Sequence, residues 1–239
     1  AIASVGVYGI VLAGWASNSK YPFLGGIRAS SQMISYELAL GLSAVPVLMI
    51  IGNLNLSDAI QYQVEHGWLL VPFTDGSLTL REVLLWVPIF ISFVVFSISM
   101  FAETNRLPFD LPESETELVA GYHTEYSSMK FALFFLGEYA AMIAGSSVIT
   151  VLFLGGWHLP FLPVNTVESS MTFSGAVLGV IHITAFFAKV AALLGVFIWV
   201  RWTLPRFRFD QLMKLGWLYL FEIALVNIFI TAAILALVP

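Results

Sequence analysis

The sequence predicts an all-α polytopic membrane protein with six transmembrane helices in the chain. Three observations carry this. Of 239 residues, 59% are hydrophobic. Only 10% are charged, where a soluble domain needs about a quarter because its surface must face water. Apolar stretches also recur at the length a bilayer demands, since a hydrocarbon core of about 30 Å takes roughly 20 helical residues. Lipid offers backbone groups no partner, so such stretches must be helices unless a barrel closes, and the alternating pattern of a barrel is missing.

The stretches fall at about 1–16, 33–52, 83–102, 131–154, 176–200 and 215–238. The first is short and begins with Ala1, without a starting Met or the basic flank of a signal peptide. The expectation is that the beginning of the protein is missing. The second follows a connection, 17–32, that holds Lys20 and Arg28, whereas the connection before the third, 53–82, holds only Arg81. Arg106 and Lys130 follow the third span, 155–175 after the fourth has no basic residue, and Arg201, Arg206, Arg208 and Lys214 follow the fifth. Eight of the ten basic residues thus lie on one side, which the positive-inside rule makes cytoplasmic: 17–32, 103–130 and 201–214. With no repeat, low-complexity segment or linker, 1–239 reads as a single integral membrane domain.

Composition removes several functions. Ten Lys plus Arg at a net charge of -5 do not build the basic face a nucleic acid requires. The absence of cysteine excludes disulfides and thiolate-ligated iron–sulfur clusters on this chain. His66, His123, His158 and His182 show no close metal-ligand spacing, so no metal site is expected. No phosphate-binding glycine loop and no nucleophile-elbow motif is present.

The connection 103–130 reads ETNRLPFDLPESETELVAGYHTEYSSMK, and its acids are in the wrong place for a cytoplasmic loop. Glu103, Asp110, Glu113, Glu115, Glu117 and Glu125 face Arg106 and Lys130 alone. Helix capping after Pro112 accounts for Glu113 and Glu115. It does not require Glu117 or Glu125. Clustered carboxylates at a low-dielectric boundary raise one another's proton affinity, and Glu113 and Glu117, four apart, share a helix face. A proton-handling patch is the alternative.

Charges inside spans are a second signal, because each costs roughly 2.5–3.5 kcal/mol at the membrane centre. Glu37 and Glu103 fall near the cytoplasmic boundary, Glu138 about 12 Å inward from Lys130, and Lys189 about 18 Å inward from Arg201 at the helical rise. Glu222 and His182 also lie within spans. Such groups either fix helix packing by pairing or form a graded route for protons. The run RWTLPRFRFDQLMK from Arg201 interleaves basic and aromatic residues and by itself reads as an interfacial anchor.

Three stretches, GWASNSKYPFLGGIRASSQMISYE (Gly14 to Glu37), AETNRLPFDLPESETELVAGYHTEY (Ala102 to Tyr126) and PRFRFDQLM (Pro205 to Met213), resemble the H subunit of respiratory complex I, the proton-pumping NADH:quinone oxidoreductase. The resemblance covers essentially the whole chain in the same motif order, and HTEY and GGWH look bacterial. That family has eight core spans, so the chain resembles the last six. The resemblance implies a chamber for ubiquinone or menaquinone, with the 103–130 loop lining the quinone path. Tyr36, Arg106, Phe109, Asp110, Glu113, Glu115, Glu117, Arg201, Arg206, Arg208 and Asp210 would belong to that chamber. Glu37, Glu103, Glu125, Glu138 and Lys189 would form the route of protons into the membrane. Glu222 takes no role from the resemblance.

The resemblance further implies quinone as substrate, no covalently bound cofactor, and FMN and iron–sulfur clusters on partner subunits. The partners would be the peripheral-arm quinone-site subunits, the adjacent membrane subunits and the lipid of a bacterial inner membrane. Two other readings remain at this level. One is the equivalent subunit of a membrane-bound hydrogenase or ferredoxin-linked complex, which shares the PFDLPE core. The other is a stand-alone proton or cation transporter, for which inverted repeats with broken helices would be the sign.

Overall fold

Long apolar runs without a backbone partner in lipid fold as helices, and helices dominate the computed structural model, which describes residues 5–71, 80–110, 121–160 and 173–237. In chain order these are α1 (Gly6–Ala16), α2 (Lys20–Ile51), α3 (Leu56–His66), α4 (Leu80–Glu103), α5 (Ser128–Phe153), α6 (Phe173–Thr203), α7 (Phe209–Lys214) and α8 (Phe221–Leu237). A single 3₁₀ turn, Gly121–His123, precedes α5, and a π-helical turn, Leu215–Leu220, joins α7 to α8. Among the described residues β-structure is limited to an isolated bridge between Trp68 and Val71. Among the described residues five helices are long and apolar enough to cross a membrane: α2, α4, α5, the Gly175–Thr203 part of α6, and the run Phe209–Leu237. The protein is an integral membrane protein of the all-α class. The first expected span is present as α1, eleven residues long.

Two expected loops are shorter than the sequence suggested. Helix α2 begins at Lys20, so most of the 17–32 connection is helical. Pro22 sits in its first turn, where a missing N–H is no loss, and Gly25 and Gly26 let neighbouring backbone approach. A Cβ on Gly25 would stand 2.9 Å from the Gly121 Cα, and one on Gly26 would stand 3.2 Å from the Ile10 carbonyl oxygen. Likewise α6 runs to Thr203 and α7 starts at Phe209, leaving 204–208 as the connection within 201–214. Within 53–82 the chain forms α3, capped by the Asn55 side chain, which accepts from the Ser57 N–H at 3.1 Å.

The chain divides into two compact units, Ala1–Leu42, Val95–Met142 and Phe197–Leu225 in the first, and Ser43–Val94, Ile143–Val196 and Val226–Pro239 in the second. The first holds the turn that ends α4. Asn105 there adopts φ +50°, a left-handed conformation that Asn tolerates better than most residues and that stops a helix.

The second unit is organised around the end of α5. Gly155 (φ +69°) and Gly156 (φ +55°) reverse the chain, and a Cβ on Gly155 would meet the Trp68 ring at 2.6 Å. The same unit contains Asn227, 2% exposed, which donates to the Pro88 carbonyl and to Ser92 Oγ, both at 2.9 Å. A polar side chain in a membrane helix is better tolerated when its donors are engaged in this way.

Candidate functional site

Within the first unit, α2 presents Arg28, Gln32 and Tyr36 at intervals of four, hence on one helical face. Gln32 is fully buried. Its amide donates to the Ala102 carbonyl at 3.0 Å and the Phe109 carbonyl at 2.9 Å, with Asn105 Oδ1 at 3.4 Å. One side chain therefore holds both ends of the 102–109 segment. Tyr36, also fully buried, donates from its hydroxyl to the Leu212 carbonyl at 2.9 Å. Its ring meets Phe109 edge-on at 5.6 Å, and Phe109 meets Phe207 at 5.5 Å. The Phe207 N–H donates to the Pro108 carbonyl at 3.2 Å. These contacts bring the segments 102–110 and 206–212 together on α2.

Two ion pairs flank this aromatic cluster. Arg206 Nη2 donates to Asp110 Oδ2 at 2.7 Å, with side chains 29% and 13% exposed. Arg106 Nη2 lies 3.1 Å from Glu138 Oε2, with both side chains about a tenth exposed. The Arg106 guanidinium also stands over the rings of Tyr139 at 4.6 Å and Phe135 at 5.6 Å. A guanidinium removed from water needs both an anion and polarisable faces, and Arg suits this better than Lys because it is planar and weakly hydrated. Glu37 and Glu103, both half-buried, lie within electrostatic reach of each other.

Of the residues expected around a chamber, the structure groups Tyr36, Arg106, Phe109, Asp110 and Arg206 in this way. Arg201, Arg208 and Asp210 have exposed side chains. Glu113, Glu115 and Glu117 lie outside the described residues. Of the expected proton route, Glu37, Glu103, Glu125 and Glu138 belong to the first unit. Glu125 is exposed and lines a cavity of about 620 Å³ with Ala16, Ser17, Tyr126 and Lys130. Lys189 belongs to the second unit. Three backbone carbonyls hold its ammonium, those of Leu154, Gly156 and His158, and the face of Trp68 lies 4.1 Å away.

Reading the sequence missed Gln32, Phe135 and Tyr139. The four-residue interval from Arg28 through Gln32 to Tyr36 was the available signal for the first. The other two flank Glu138 on its own helix, but nothing in the sequence aims them at Arg106. Among the described residues no group of three or more acidic or histidine side chains is placed to hold a metal ion.

The chain matches the family model described as NADH dehydrogenase over residues 1–232. It is 48% identical over 237 residues to the H subunit of the NADH-quinone oxidoreductase of Rhodospirillum centenum, covering 98% of this chain and 62% of that protein. The corresponding protein of Rhodospirillum rubrum is 47% identical over 237 residues, with coverages of 98% and 62%. NADH-quinone oxidoreductase subunit 8 of Rhodothermus marinus is 46% identical over 240 residues, with coverages of 99% and 66%. The chain thus spans somewhat under two thirds of the length of these curated relatives.

Proposed function

The chain belongs to the NADH dehydrogenase family, and from that premise we propose that it is the membrane subunit of a bacterial proton-translocating NADH:quinone oxidoreductase, forming much of the quinone chamber and coupling quinone reduction to proton movement. The observation that carries this reading is the joining of 102–110 to 206–212 on Tyr36 and Gln32. It sets a packed aromatic cluster beside two arginine–carboxylate pairs. Aromatic faces suit a flat quinone ring, and charged groups beside it respond to its charge.

In this reading a reduced head group takes up protons and its field alters the proton affinity of neighbouring carboxylates. Asp110 and Arg206 stand on the chamber side of that exchange. Glu37, Glu103, Glu125 and Glu138 relay it, Arg106 supplying the positive charge opposite Glu138. The signal reaches partner subunits as a coupling free energy, which must cover about 2.3 kcal/mol per charge for each 100 mV of membrane potential. FMN and iron–sulfur clusters reside on peripheral-arm partners. The host membrane is the bacterial inner membrane, with 103–130 on its cytoplasmic side.

A photoreactive quinone analogue tests the reading in membranes carrying the active complex. Labelling within 103–130 or 201–214 that excess native quinone prevents is the expected result. Absence of protected labelling in a complex shown to turn over points to the ion-conducting or hydrogenase-type alternative. A second expectation concerns the acidic loop. Glu117→Gln lowers quinone-dependent proton pumping while NADH oxidation by an artificial acceptor stays intact, and equal loss of both reassigns the residue to assembly.

A further inference from the structure

The carbonyls at the end of α5 are all engaged, three of the bonds coming from one lysine. A helix C-terminus leaves four carbonyl groups without intrahelical donors, and in a membrane protein water cannot be assumed to supply them. From Thr150 to Gly156 each carbonyl has a donor. Thr150 accepts from the Leu154 and Gly156 N–H groups at 3.1 and 2.9 Å, and Phe153 from Leu70 N–H at 3.2 Å. Gly155 accepts from His158 N–H at 2.9 Å. The buried amide of Gln63 donates to Val151 at 2.9 Å and Leu152 at 3.3 Å, while its oxygen accepts from Gly155 N–H at 2.9 Å. Leu154, Gly156 and, one turn on, His158 depend on Lys189, at 2.7, 3.0 and 2.7 Å.

An ammonium has three N–H donors and no acceptor. Here three carbonyl oxygens engage it, and the ring of Trp68 at 4.1 Å contributes the quadrupole of an aromatic face. The negative end of the α5 dipole points the same way as these carbonyls. A neutral amine has one donor fewer and a lone pair, which would face an oxygen of the cage. Loss of the proton would thus break a bond and create a repulsion at once. We infer that Lys189 acts by closing the C-terminus of α5, a positioning residue for the 154–158 turn rather than a link in the proton route. This departs from the place that sequence resemblance alone gives it on the proton route.

The decisive variant is Lys189→Arg in the assembled complex, because a guanidinium keeps the charge and donors but cannot be deprotonated in a protein. The expected result is an assembled complex in proteoliposomes with the wild-type ratio of protons pumped to NADH oxidised. Lys189→Met should in parallel lose assembled complex and lower its melting temperature. An assembled Lys189→Arg complex that reduces quinone without pumping overturns the inference, as does a Lys189→Met complex that assembles and melts like wild type.

Should Lys189→Arg fail to assemble for want of room, Lys189→Ala decides. Methylammonium, but not tetramethylammonium, which has no N–H, should then restore assembly, and no restoration overturns the inference. The pumping arm rests on the function proposed above. The melting and rescue arms do not, so a complex that never pumps in its wild-type form would sink that proposal and leave this one to be judged by assembly.

Discussion

Arg106 and Lys189 are two cations withdrawn from water in one chain, and their surroundings differ in kind. Arg106, in the first unit, is met by the Glu138 carboxylate and two aromatic rings. Lys189, in the second, is met by three backbone carbonyls and one ring. The difference is one of chemistry. A carboxylate can take a proton and change the charge of the pair, so a cation facing it belongs to a site whose state can vary. Amide carbonyls do not titrate in the physiological range, so the partners of that cation keep one charge. The first unit has the ingredients of a responsive site, and the second those of a permanent closure.

The largest expected effect tests the first half of that contrast. Arg106→Ala removes the guanidinium opposite Glu138 in a poorly solvated place, a change that costs about 3–5 kcal/mol when a buried pair loses one partner. Thermal inactivation of the assembled complex should register it. Adding Glu138→Ala should recover part of the loss, and a double variant no better than the sum of the singles would deny the coupling.

Next comes the closure in the second unit. Gly155→Ala combines a left-handed backbone with a Cβ placed 2.6 Å from Trp68, together about 3 kcal/mol. Its melting temperature should fall well below that of Gly41→Ala, a control whose Cβ meets nothing within 4 Å. Equal behaviour would mean that Trp68 yields and the turn is not tightly built.

Smaller effects sharpen the picture of the first unit. Gln32→Leu removes the amide that joins α2 to 102–109 and should cost about 2 kcal/mol, since it strands buried carbonyl acceptors. Increased hydrogen exchange at 102–110 is the specific readout, and unchanged exchange would relieve Gln32 of that role. Tyr36→Phe keeps the ring against Phe109 and loses only the bond to Leu212, worth about 1 kcal/mol. If the hydroxyl serves only to hold Leu212, the variant should change stability slightly and the KM for quinone hardly at all. A large rise in KM would assign the hydroxyl to the ligand.

Much of the site could be read from residue types in sequence. ETNRLPFD carries Glu103, Arg106, Phe109 and Asp110 within eight positions, and PRFRFD carries Arg206 and Asp210 within six. Charge where a membrane disfavours it singled out Glu103 and Asp110, whereas Arg106, Phe109, Arg206 and Asp210 took their place only from the resemblance to a known family. The same reasoning placed Lys189 on a ladder with the glutamates, because the helical rise converts residue number into depth. Depth along a helix axis does not tell which way a side chain faces. Lys189 faces the end of α5, and Glu138 faces a guanidinium 32 positions earlier in the chain.

By itself the sequence determined the all-α membrane class, the approximate places of the long helices and the family. These follow from local quantities: apolar length against bilayer thickness, and the identity of short polar motifs. Where helices begin was decided less locally, as Lys20 shows, because close backbone approach at Gly25 and Gly26 extends α2 beyond its apolar run. Only the tertiary structure decided partners. It gave Gln32 to 102–109, Arg106 to Glu138, Asp110 to Arg206 and Lys189 to the carbonyls of 154–158. In a medium that offers few alternative partners, these polar groups take the complementary ones that helix packing brings within about 3 Å, and that meeting depends on segments far apart in the chain.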